Sequence, residues 1–106
     1  MDDDNNQIEV PASFCALFAT PAGRLTEPVS MVRQRYELCE DLAQMLVEQA
    51  ATLQFKTGRP EAQVLQTIED GLTGGDAGVS AQESLWVGKR LAELLDWKIP
   101  AGETGE

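Results

Sequence analysis

Residues 28–57 read PVSMVRQRYELCEDLAQMLVEQAATLQFKT, a proline followed by twenty-nine positions without glycine or proline. Val32, Tyr36, Cys39, Leu42, Ala43, Leu46, Ala50 and Leu53 recur at helical spacing and so share one face. Leu38 and Met45 are expected to widen that face. A helix of this length spans roughly 40 Å at about 1.5 Å per residue. Its apolar stripe has to be covered by other helices or by another chain. Gly58 follows directly and suits the helix's C-terminal stop.

Working outward, Ile8 and Val10 lead to Pro11, which fits the first turn of a helix because its missing N–H would be unpaired there. A short helix over 11–19 places Phe14, Leu17 and Phe18 on one side, and residues 20–27, with Pro21 and Gly23, read as a loop. Pro60 opens a helix over 60–72 with Val64, Leu65, Ile68 and Leu72 as its stripe. Gly74, Gly75 and Gly78 make the next connection. Ser80 and Glu83 form a capping box that starts a helix over 81–97, burying Val87, Leu91, Leu94 and Leu95. No stretch alternates as a strand would. The fold class expected is all-α: a small four-helix bundle-like domain with one long central helix, its last three helices antiparallel neighbours because their connections are short.

The chain has 106 residues, 42% hydrophobic and 25% charged, which fits one ordinary globular domain over 11–99. The acidic stretch 1–10 and the tail 100–106 read as flexible. Nothing approaches a membrane span, and MDDDNNQ is the opposite of a secretory signal; a cytoplasmic location is expected. The net charge of −10 owes much to the ends, since positions 11–100 hold twelve acids and eight bases, a balance of −4. Such a balance disfavours phosphate backbones, so no nucleic-acid partner is expected. Cys15 and Cys39 both read as buried, reduced thiols.

The absences decide much of the chemistry. Histidine is missing altogether, and with it the commonest general base and metal ligand. Two separated cysteines do not make a zinc site. Gly71, Gly74 and Gly75 lack the Gly-Lys-Ser/Thr ending of a phosphate loop and the ligand spacing of a calcium loop, so they read as a helix–helix turn. Neither enzymatic activity nor a metal or other cofactor is expected.

Two surfaces remain as candidates. Glu37, Asp41, Gln44 and Glu48 fall at offsets 0, 4, 7 and 11, one polar stripe with Glu40 beside it, able to meet a basic partner; its ordinary reading is a solvated face. Trp86, Arg90, Glu93 and Trp97 lie close to three turns end to end, a combination common in binding hot spots; the ordinary reading is that the rings close the flank of the bundle against the first two helices. Gly88, inside this helix, suggests a close helix crossing.

Three stretches carry a resemblance: Val10-Pro11-Ala12-Ser13-Phe14 with Leu17-Phe18; Arg35 through Ala43; and Gly74-Gly75-Asp76 leading by Val79-Ser80 to Trp86-Val87 and Arg90 through Leu95. Together they resemble a group of small proteobacterial proteins of unassigned function, some labelled as an ATPase with chaperone activity. The resemblance implies a bacterial, cytosolic protein and supplies no catalytic residue; the chain has neither a nucleotide loop nor the length of an ATPase domain. The function expected is a non-catalytic protein–protein interaction module, an adaptor or accessory subunit, pairing with itself through apolar surface of the long helix. The alternatives are a regulatory module holding a small ligand between its helices and a chaperone-associated accessory protein.

Overall fold

The computed structural model describes residues 10–75 and 77–98. Of the stretches expected to be flexible, only Val10 lies among them; Asp76 and the tail 100–106 fall outside. Among the described residues the fold is all-α. Helix α1 (Ala12–Cys15) runs on as a 3₁₀ turn (Ala16–Phe18), followed by α2 (Val29–Thr57), α3 (Glu61–Gly74) and α4 (Ala81–Leu95). No helix is long and apolar enough to cross a membrane among these residues. Two compact units are distinguished, Met1–Leu38 and Cys39–Glu106.

In the first unit, Pro11 caps α1 and its carbonyl accepts the N–H groups of Phe14 and Cys15, both at 3.0 Å. The expected nine-residue helix is cut to one α turn and one 3₁₀ turn, because Ala19 swings into extended backbone (φ −125°, ψ 148°). The Thr26 N–H donates to the Phe18 carbonyl at 2.7 Å and Thr20 N–H to Arg24 at 2.8 Å, folding 19–25 into a tight loop with a single bridge between Ala19 and Leu25. Gly23 makes the reversal possible at φ +90°. Phe14 is fully buried, its ring 5.6 Å from Phe18 and edge-on to Tyr36 at 5.7 Å, separations at which aromatic pairs attract beyond their area. Val32, in the same unit, is also buried. Cys15 is only half-buried, against expectation, because the short helix leaves its Sγ near the Val10 carbonyl instead of in the core.

In the second unit, Cys39, Ala43 and Ala50 are fully buried along α2, as the periodicity predicts. Met45 corrects that prediction. It stands 69% exposed, since two residues beyond Ala43 means a turn of about 200°, nearly the opposite side. The helix ends as expected: Gly58 takes φ +66° and donates to the Gln54 carbonyl at 2.8 Å.

Helix α3 runs to Gly74, two residues beyond the expected end, carrying Gly71 inside it. Tertiary contact overrides the low helix propensity of glycine here. The Thr73 hydroxyl lies 2.9 Å from the buried Ser84 hydroxyl of α4 and 3.0 Å from the Glu69 carbonyl. Val64, Leu65 and Ile68 are buried on α3, and Trp86, Val87, Leu91 and Ala92 on α4. The two helices are antiparallel: Thr73 meets Ser84 while Glu69, one turn earlier, meets Gly88.

The capping box forms as expected. Glu83 N–H donates to Ser80 Oγ at 3.1 Å and Ser80 N–H to Glu83 Oε1 at 2.8 Å. The other end of α4 departs from the expected 97. Asp96 turns left-handed (φ 59°, ψ 36°), and Trp97 N–H reaches back to the Ala92 carbonyl at 2.8 Å while Asp96 N–H reaches Glu93 at 3.2 Å. That pair of bonds is a Schellman closure.

Candidate interaction surface

The two surfaces marked out by the sequence fare differently. On α4, Trp86 is only 8% exposed, so its ring belongs to the interior of the second unit. Trp97 is half-buried and lies past the Schellman closure. The two tryptophans therefore do not form a continuous helical stripe; the three-turn spacing fails at the left-handed Asp96.

Arg90 is engaged within the fold. Its Nε donates to Glu40 Oε1 at 2.9 Å and Nη2 to Oε2 at 3.1 Å, while Nη1 donates to exposed Glu93 at 3.0 Å. A two-pronged guanidinium–carboxylate fork of this kind sets orientation as well as attraction. Gln44 Nε2 adds a third donor to Glu40 at 2.8 Å. The hydrogen bonds from Arg90, then Gln44, hold the Glu40 carboxyl below its ordinary range against the opposing effect of burial. Arg90, in turn, is pushed still higher by its bonds to Glu40 and Glu93. Glu40 thus ties α2 to α4. Fifty residues of separation gave the sequence no spacing by which to find this pair.

On α2 the acidic stripe divides by burial. Glu37, in the first unit, is half-buried, whereas Asp41, Gln44 and Glu48 are exposed. Among the described residues no group of three or more acids and cysteines stands close enough to hold a metal ion.

A surface that the sequence reading missed lies on the C-terminal half of α2. Phe55 is 86% exposed and Met45 69%. Phe55 follows Ala50 by five residues, about 140° around the helix from the buried line, and that arithmetic was the available signal. A shallow, open depression beside them is lined by Met45, Glu48, Gln49, Thr52, Leu53 and Lys56. Among the described residues neither Glu48 nor Lys56 has a charged partner in its own chain.

One further carboxylate sits at the α3–α4 crossing. Gly88 is buried, and a Cβ there would collide with the Glu69 side chain. The notch expected from Gly88 exists, but an acid fills it in place of a neighbouring backbone. Burial raises the Glu69 pKa, Asp70 adds to the rise and Lys89 opposes it.

Comparison with known protein families, with curated proteins and with solved structures returns no match.

Proposed function

We propose that this chain is a non-catalytic interaction module, an adaptor or accessory subunit of a bacterial cytosolic pathway, whose contact face is the C-terminal half of α2. The observation that carries the reading is the exposure of Phe55 and Met45 on a helix whose opposite side is already buried. Fully burying a Phe or Met side chain is favourable by about 1.5–3 kcal/mol, so a partner that covers both gains roughly tenfold to a hundredfold in affinity from each. Asp41, Glu48 and Lys56 surround them with charge that can select the partner. The small-ligand alternative has less support: the buried polar side chains Glu83 and Ser84 are occupied by the Ser80 cap and by Thr73.

The test compares the wild-type chain with M45D/F55D as bait in its native cell. Both positions are exposed, so the double variant is expected to keep its thermal stability to within about 1 kcal/mol while losing the proteins that wild type retains. Equal retention by the two baits would refute this face as the contact.

A further inference from the structure

Glu48, Thr52 and Lys56 lie at successive intervals of four on the exposed face of α2. Intervals of four place neighbours one above another along a helix. The two charges are eight residues apart, about 12 Å along the axis, too far to pair within one chain. From this spacing we propose that the face binds a second copy of the chain, α2 against α2 and antiparallel, with the two Thr52 residues on the twofold axis. The proposal rests on the interaction reading above and names its partner.

An isologous contact places residue i of one copy at the level of a fixed j of the other, and j at the level of i. With Thr52 on the axis, the levels of paired residues sum to 104. Glu48 then stands level with Lys56 of the second copy, and Lys56 with its Glu48, giving two opposite-charge pairs from one register. Parallel pairing would set Glu48 against Glu48 and Lys56 against Lys56, which is repulsive at both ends. Thr52 is short enough at the crossing to let the axes approach to the usual separation of about 8–10 Å. Phe55 falls at the level of Gln49 and turns from solvent onto the neighbouring helix, whereas Met45 falls at the level of Arg59, just past the helix end at Thr57, and meets only the end of that helix. Burial of Phe55 supplies most of the attraction, and the charge pairs choose direction and register. The net charge of −10 on each chain works against any such pair at a distance, but salt screens it beyond roughly 10 Å at 0.1 M ionic strength.

Sedimentation across a dilution series reads the outcome. Wild type is expected to pass from monomer to dimer over micromolar to hundreds of micromolar concentration. E48K and K56E each replace two attractions with two repulsions and are expected to weaken association about tenfold. Mixing the E48K chain with the K56E chain restores a Lys opposite a Glu at both ends, so the mixture is expected to dimerise about tenfold more tightly than either chain alone. The doubly reversed E48K/K56E chain should recover as well. Thermal unfolding of each variant verifies that it is folded. A wild type that stays monomeric throughout overturns the proposal, as does a dimer indifferent to E48K and K56E or a mixture that fails to recover. Those results leave the interaction reading intact if M45D/F55D still loses its partners in the cell; loss of neither partner nor dimer sinks both.

Discussion

Two glutamates in the second unit have opposite relations to acid. Glu40, held by Arg90 and Gln44, binds its proton more weakly in the folded chain than in the unfolded one. Its contribution is present above the unfolded value of about 4.3 and is lost as pH falls through the lower folded value. Arg90→Gln is therefore expected to cost about 1–2 kcal/mol at pH 7, with the difference from wild type shrinking in thermal melts taken below pH 4. Glu69 runs the other way. Half-buried over Gly88, it binds its proton more tightly when folded, so its penalty is absent in acid and appears as pH rises through the folded value. Glu69→Gln is expected to melt higher than wild type at pH 7 and to lose that advantage by pH 4. A lower melting temperature at pH 7 would mean that Lys89 matters more to Glu69 than burial does.

At the scale of the element, α4 shows how far end chemistry decides a helix. Its N-terminus carries a complete reciprocal cap, Ser80 with Glu83, and this was legible because the pattern is short and local. Its C-terminus was not legible. Asp96 is the only residue other than glycine at positive φ among the described residues, and aspartate enters that region with less penalty than most side chains yet more than glycine. Asp96→Gly keeps the closure and removes the strain, so it is expected to stabilise the fold by roughly 0.5–1 kcal/mol in chemical denaturation. Destabilisation would show that the Asp96 carboxylate, 4.0 Å from the Lys98 ammonium, contributes more than its backbone costs. The extension of α3 through Gly71 has the same lesson: the Thr73–Ser84 contact sits eleven residues apart in sequence, and no propensity scale contains it.

For the whole molecule, period and punctuation were enough to give an all-α fold, to bound α2 within one residue and to put Cys39, Ala43 and Ala50 inside. Those are local properties of a chain with a 3.6-residue repeat. The surface proved harder to read, because a stripe's width depends on what stands against it. Met45 looked like an extension of the core and is open to solvent, whereas Trp86, a candidate contact whose ordinary reading was a packed flank, is buried. The Glu40–Arg90 fork joins residues fifty apart in sequence and the Glu69–Gly88 notch joins two consecutive helices, so only folding brings each pair together. The open position of Met45 also has a chemical side. Met31 is half-buried, whereas the Met45 thioether faces water and is the readier target for peroxide. Its sulfoxide is polar and chiral where the thioether was soft and apolar. One added oxygen would make the exposed face of α2 less adhesive while leaving the buried face of the same helix unchanged, so an ageing sample would lose its contacts before it lost its fold.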